Sequence, residues 1–164
     1  MKSLRLSAIL GIIIIMLLAC EPKTTCELSV TEKASIEDEI EIIVRNFMNA
    51  ETLCFETHTA LRANQPGYIF GGDGKLNFRS YSEYQAGVKK AFSTTQKFTE
   101  MSISELYVYA LSNNAATCTA EFMSKILTTS GDTLIHDGCW TMVFKKFDNE
   151  WKIIQENGTH LNQR

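Results

Sequence analysis

The chain has 164 residues, with 16 lysines and arginines against 19 aspartates and glutamates, a formal charge of −3. That length suits one domain with a full core once any leader is set aside. No cluster of lysines and arginines interrupts the weakly acidic balance, which excludes nucleic-acid binding through a basic patch.

Residues 1–19 read as a leader. "MKSLRL" supplies two cations, Lys2 and Arg5, and "SAILGIIIIMLLA" is an apolar run too short to span a bilayer comfortably as a permanent helix. The run ends in "LLAC", where Leu17, Leu18, Ala19 and Cys20 resemble the lipobox of bacterial lipoproteins. The resemblance implies cleavage before Cys20, diacylglycerol on the Cys20 thiol and acylation of the new amine. Two or three acyl chains anchor stably where one would bind reversibly. The implied address is the bacterial cell envelope, on its periplasmic or cell-surface side, with the membrane as a partner. An ordinary secretory signal with a chance cysteine is the alternative. Taking Lys2 and Arg5 from the 16 basic side chains leaves 14 against 19 acidic, a balance of −5.

Residues 20–34, with "EPKTTCELSVTEKA" after Cys20, form a polar tether, and 35–164 form the domain. Cys26, Cys54, Cys118 and Cys139 remain, and four cysteines allow three pairings. Cys118 and Cys139 fall on runs expected to be neighbouring strands, so a bridge between them stays open beside buried free thiols. No CxxC or Cys/His spacing indicates zinc and no two histidines have metal-ligand spacing, so no metal and no cofactor is expected.

"SIEDEIEIIVRNFMNAE" opens with Ser35 and Asp38 in capping-box spacing, and Ile36, Ile40, Ile43, Val44 and Phe47 follow helical periodicity. "TLCFETHTALRAN" suits a second, shorter helix stopped before Pro66. "GYIF" and "KLNF" flank "GGDG", which is hairpin chemistry; a phosphate loop would need fuller spacing and a helix after it. "SYSEYQAGVKKAF" has Ser80 three residues before Glu83, a helix start, with Tyr84, Val88 and Phe92 on one stripe.

From there the period becomes two. "SISELYVYAL", "AATCTAEFMSKILT", "DTLIHDGCWTMVFKKF" and "EWKIIQENGT" are four strand-like runs, separated by "SNN", "SGD" and "DNE". These runs alternate poorly: Leu106, Val108 and Ala110 interleave with Tyr107, Tyr109 and Leu111. One face must cover the helices, and the other is apolar enough to predict a homodimer through the back of the sheet.

Helices first, an antiparallel sheet afterwards and the closing "TMVFKKFDNEWKIIQENGTH" resemble the nuclear transport factor 2-like superfamily, in its SnoaL-like, ketosteroid-isomerase-related branch. Thr141, the "KKFDNEW" turn and Trp151-Lys152-Ile153-Ile154 carry the likeness, with "GKLNFRSYSEY" resembling the family's second strand and third helix. It extends from Ile36 to His160. The implied fold class is α+β: a cone-shaped, curved antiparallel β-sheet packed on N-terminal helices (a cystatin-like architecture), with a pocket between the layers and a dimer through the sheet. The superfamily hosts isomerases, dehydratases, cyclases, epoxide hydrolases and non-catalytic binding domains, so fold alone names no reaction. Ketosteroid isomerases need a tyrosine and two aspartates in the pocket; here the first-helix region offers Phe47 and Phe55. Related kinase-association domains carry arginines on two strands, where this chain has Phe122 and Met142.

Strand parity selects the candidate chemistry. With Trp140, Met142 and Phe144 inward, Thr141 and Lys145 point out; placing Ile154 inward brings Glu156 inward as well, a carboxylate on an apolar wall and a candidate general base. A bulge that returns Glu156 to solvent is the competing reading. His58, near the end of the second helix, falls at the mouth of the cone and is the other catalytic candidate, against an ordinary helix-end histidine. His136 beside "DG" reads as an edge or bulge, and His160 as close to a fraying end. Tyr68, Phe70, Phe122, Trp140 and Met142 are the candidate ligand-binding wall, against an ordinary core. "NGT" at Asn157 is a glycosylation sequon that a bacterial export route makes moot.

The functional expectation is a lipid-anchored domain that binds a small apolar molecule in the cone. A lyase or isomerase using Glu156 or His58 as base and a non-catalytic dimerisation or envelope-assembly module are the alternatives.

Overall fold

Ser29 starts the first helix in the computed structural model, which describes residues 27–161; the expected leader, Cys20 and Cys26 lie outside the described residues. The Ser29 hydroxyl accepts from the Glu32 N–H, and the Glu32 carboxylate accepts from the Ser29 N–H at 2.8 Å, a reciprocal cap on α1 (Val30–Phe47). This cap precedes the expected one at Ser35, so residues 30–34 of the expected tether are helical. Ile36, Ile40 and Val44 form the buried stripe of α1. No described helix is long and apolar enough to cross a membrane.

A six-residue helix, α2 (Phe55–Ala60), follows. The hairpin of β1 (Ile69–Gly72) and β2 (Lys75–Phe78) turns through Asp73 and Gly74, both at positive φ, which matches the twist of the flanking strands. Helix α3 (Tyr81–Ser93) begins at Ser80, whose hydroxyl accepts from the Glu83 N–H. The long strands β3 (Thr95–Ser112), β4 (Ala115–Thr128), β5 (Thr133–Phe147) and β6 (Glu150–His160) then form an antiparallel meander.

The full strand order is β2-β1-β6-β5-β4-β3. The sheet is not wholly antiparallel as expected: β1 runs parallel to β6, with Phe70 beside Glu156. The cause lies just before β1. Ala63 N–H donates to the Ile153 carbonyl and Ile153 N–H to the Leu61 carbonyl, both at 2.8 Å, so the chain leaves α2 already aligned with β6. Register shifts along β3–β4 and between β5 and β6 bend the sheet into an open cone.

One of those shifts corrects the parity of β6. Trp151 and Ile153 face the core, and Ile154 does not. Val143 pairs with Gln155 while Phe144 pairs with Ile153, so Ile154 bulges out of the ladder. The bulge advances the phase and turns Glu156 inward with 1% of its surface exposed. The sequence expectation of an inward Glu156 therefore holds in position but not in cause.

The inner face of the sheet divides in two. Under α1, Ile36, Ile40 and Val44 pack on Cys118, Met142, Phe144 and Ile153 in a solid core. Under α3 and the β1–β2 hairpin the sheet is hollow. On the outer face Tyr107, Tyr109 and Leu111 stand exposed. The possible Cys118–Cys139 bridge is absent: Cys118 lies opposite Met142 on the inner face, whereas Cys139 lies opposite Glu121 on the outer face. Burial pushes the Cys118 thiol up to about 12, leaving it unreactive.

Phe78 seats the hairpin on α3 at Gly87, where an added Cβ would overlap the ring, 2.6 Å from Cε1. Gly87→Ala improves helix propensity by up to about 1 kcal/mol, yet overpacking costs about 1–3 kcal/mol, so a net loss of stability is expected. In a Phe78→Ala background the same Gly87→Ala change should become neutral or stabilising in urea denaturation. Destabilisation of equal size in both backgrounds would show that the contact is not what constrains the glycine.

Candidate functional site

The stitch between Leu61–Ala63 and β6 drives the side chain of Arg62 beneath the sheet, directly against Glu156. Arg62 Nε donates to Glu156 Oε1 at 3.0 Å and Nη2 to Oε2 at 2.9 Å, a two-pronged ion pair. Nη1 donates to the His58 carbonyl at 2.7 Å, filling an acceptor that the end of α2 would otherwise leave open. The Tyr68 hydroxyl donates to Glu156 Oε1. The Phe47, Trp140 and Tyr84 rings surround the guanidinium, with Cζ 4.6, 5.2 and 5.5 Å from their centroids. Neither charged side chain retains exposed surface.

Burial works against the Arg62 charge, but the Glu156 carboxylate, together with Tyr84 and Tyr68, more than offsets it and the guanidinium is held protonated. Burial and then the Glu156 charge push the Tyr68 hydroxyl upward, so it remains a donor. With both carboxylate oxygens engaged and no exposed surface, Glu156 is a structural anchor. That corrects its candidacy as general base. Tyr68 is likewise committed to Glu156 and lies outside the hollow.

The hollow has a volume of about 210 Å³. Phe70, Phe122 and Trp140 line it, together with Phe47, Phe78 and Phe98. Met142 does not: it sits in the solid half of the sheet, opposite Cys118 under α1. The polar lining comes from Ser124, Tyr84 and three histidines. His58 enters from α2, with Nδ1 2.9 Å from the Tyr84 hydroxyl, while Nε2 has no hydrogen-bond partner among the described residues. Which atom carries the shared proton depends on the tautomer. Burial, and then the neighbouring Arg62 charge, hold the His58 pKa well below the usual imidazole range. The ring is therefore neutral near pH 7.

His136 and Ser124 are register partners on β5 and β4. His136 is paired on the β4 side only, since the β5–β6 register starts at Gly138, and its ring lies edge-on to His160 with centroids 5.8 Å apart. His160 is not frayed. Its N–H donates to Asp73 Oδ1 at 2.8 Å and its Nδ1 lies 3.0 Å from Asp73 Oδ2, fastening the hairpin tip to β6. Those two bonds, the backbone one first, hold the Asp73 carboxyl below its ordinary range. Among the described residues no cluster of histidine, cysteine and carboxylate side chains could hold a metal ion.

The sequence reading missed Arg62 and gave Tyr84 only a place on a helical stripe. A lone arginine in "ALRAN" carries no pattern that marks it as buried. Ser80 and the stripe through Tyr84, Val88 and Phe92 did mark the face of α3 that closes over the hollow.

Removing one member of a buried ion pair strands the other. Arg62→Met is expected to cost about 3–5 kcal/mol in urea unfolding, with the Arg62→Met/Glu156→Leu double variant recovering much of that loss. Additive losses would mean that the two groups are not coupled. A lowered folded-state pKa at His58 also fixes a sign with pH. The unfolded histidine, titrating near about 6.5, gains a proton that the folded one refuses, so stability is complete above that value and declines below it. His136 is lowered in the same direction by burial and His160. Melting temperature should fall on acidification from pH about 6.5, and less steeply in His58→Gln; parallel profiles would refute the assignment.

A SnoaL-like domain family model matches residues 43–159. No curated protein sequence matches the chain. Among solved structures, a provisionally assigned scytalone dehydratase from Novosphingobium aromaticivorans superposes with a TM-score of 0.70 at 13% identity, covering 82% of this chain and 91% of that one. A hexachlorocyclohexane dehydrochlorinase from Novosphingobium barchaimii gives 0.64 at 9% identity, over 83% and 93%. A nuclear transport factor 2-like superfamily protein from Salmonella enterica gives 0.61 at 17% identity, over 80% and 92%. These likenesses share the fold: helices packed on a curved, open, mixed six-stranded sheet. With the family model spanning most of the chain, this protein belongs to the SnoaL-like domain family.

Proposed function

We propose that this protein binds a small, largely apolar molecule inside the cone. The observation that carries the reading is the hollow of about 210 Å³, walled by aromatic rings from the sheet, the hairpin and α1. Apolar cavities of roughly 150 Å³ lined by aliphatic and aromatic side chains already accept benzene. The adjacent half of the same sheet face is packed solid, so the hollow is a local feature of the α3–hairpin side. The lipobox-like "LLAC" supports anchoring through Cys20 in the bacterial cell envelope. Exposed Tyr107, Tyr109 and Leu111 support pairing with a second copy through the outer face of the sheet.

A second reading is a lyase that uses His58 as base, and one geometric fact favours it. Tyr84 engages Nδ1 of a neutral imidazole, and Nε2 is left for the cavity. With Nδ1–H donating to Tyr84 Oη, the Nε2 lone pair can take a proton from a carbon beside a leaving group. The resulting imidazolium would stand near Arg62, which makes proton uptake costly and favours fast return of the proton. Two of the structural neighbours bear names of elimination enzymes, a dehydratase and a dehydrochlorinase, consistent with this second reading.

Thermal denaturation against a panel of small apolar and aromatic compounds tests the first reading, with a dose-dependent rise in melting temperature expected for at least one. No rise across the panel, together with a crystal structure in which the protein's own side chains fill the hollow, would defeat it. For the second, His58→Gln should reduce turnover of an eliminable substrate about 10²-fold or more with little change in its binding. Equal turnover in the two proteins would remove His58 from the chemistry.

A further inference from the structure

A second concavity opens outside the cone. It has a volume of about 250 Å³ and lies between the segment from Ala63 to Tyr68 and the outer face of β5 and β6. Local chemistry fixes both walls. Pro66 and Gly67 stand at the centre of a turn in which the Tyr68 N–H donates to the Gln65 carbonyl at 3.3 Å, and Gly67 has a φ of 92°. Proline followed by a left-handed glycine is type II turn chemistry, and it leaves this wall little conformational freedom. On the opposite wall the bulge in β6 turns Ile154 outward, where it lines the concavity together with Phe147. Pro66, Phe147 and Ile154 thus supply an apolar strip.

The polar lining carries charge of one sign. Lys145 is present and no aspartate or glutamate is. The Lys145 ammonium stands 5.4 Å from the centroid of the Phe147 ring, which stations it against the apolar strip. Its register partner on β6 is Lys152, and like charges directly opposite each other on a sheet repel. Lys152 is compensated, by the Glu150 carboxylate at 3.0 Å and the Ala60 carbonyl at 3.0 Å. Lys145 has no carboxylate partner among the described residues. Gln65 and Gln155 bring side-chain amides to the same lining, each with two N–H donors. One uncompensated positive charge flanked by amide donors matches a single negative charge; a doubly charged phosphate would exceed it. The strip beside it matches a hydrocarbon body.

We propose that this outer concavity binds a small carboxylate with an apolar ring or chain. The carboxylate accepts from the Lys145 ammonium and from the Gln65 and Gln155 amides, and the hydrocarbon lies against Pro66, Phe147 and Ile154. The site is separate from the hollow, since no residue lines both, and it stands whether or not the cone is occupied.

The test is an NMR titration of isotope-labelled protein near pH 7 with benzoate, benzyl alcohol and benzylammonium, repeated on Lys145→Met and Lys145→Arg. Lys145 is exposed, so both variants are expected to keep the fold. Benzoate should shift the Gly67, Phe147 and Ile154 amides to saturation, at a concentration about tenfold below that of either other probe. Lys145→Met should raise that concentration about tenfold or more, and Lys145→Arg should restore most of the affinity. Benzoate half-saturation unchanged in Lys145→Met, or benzylammonium binding as well as benzoate at these amides, overturns the assignment. So do benzoate shifts confined to residues that line the cone, such as Trp140. If Lys145→Met alters the monomer–dimer balance in sedimentation while benzoate binds neither protein, the concavity belongs to a contact between copies and the proposal falls.

Discussion

Two full charges sit where water does not reach, and the rest of the inner architecture follows from how they are held. Desolvating a guanidinium and a carboxylate costs several kcal/mol each, and the pair persists only because nearly every donor and acceptor is used. Arg62 forks onto Glu156 and caps His58, while Tyr68 adds a second donor to Glu156 Oε1. Each of these partners comes from a different part of the chain: the exit of α2, the entry to β1 and the bulged stretch of β6. The network therefore fixes how the small helix, the hairpin and the last strand meet. It also explains why an acidic group on an apolar wall is inert here, with its charge spent on architecture.

Around that anchor the sheet serves two purposes on one face. The half beneath α1 is filled by branched aliphatics, Met142 and Phe144, and behaves as ordinary core. The half beneath α3 is roofed by rings that meet edge-to-face, such as Tyr84 with Phe78 and with Tyr68. Flat rings in tilted arrangements cannot fill space as branched aliphatics do, and a void between them persists. His58 stands at the boundary, its backbone carbonyl held by the charged anchor and its ring turned to the void. Charge is thus kept within one side chain's length of the hollow and yet excluded from it.

Much of this was legible in the residues. The period-two runs with "SNN", "SGD" and "DNE" between them gave the meander, and Ser80 with Glu83 gave α3, because those signals are local. The α1 start was misplaced because two serines, Ser29 and Ser35, both offer caps, and the acceptor three residues on decides between them. The inward turn of Glu156 was expected from the wrong parity: nothing in "WKIIQEN" marks Ile154 as the bulged residue, since a bulge depends on the partner strand. Phe70, Phe122 and Trp140 line the hollow, whereas Tyr68 and Met142 do not, because the division of the sheet depends on which helix lies above each pleat. Arg62 carried no signal at all. Its role exists only through a contact between segments 94 residues apart.

The parallel seam between β1 and β6 has a consequence for how the molecule comes into being. During synthesis the hairpin emerges before the meander, and its neighbour in the sheet emerges after β3, β4 and β5. Until β6 leaves the ribosome, β1 lacks its parallel neighbour and Arg62 has no carboxylate to meet. Seams between distant segments close late, because loop-closure entropy must be overcome first. The interior space is consequently the last part of the protein to exist and, by the same reasoning, the first to open under stress. Local opening of that seam would expose the hollow while leaving the solid half of the sheet intact.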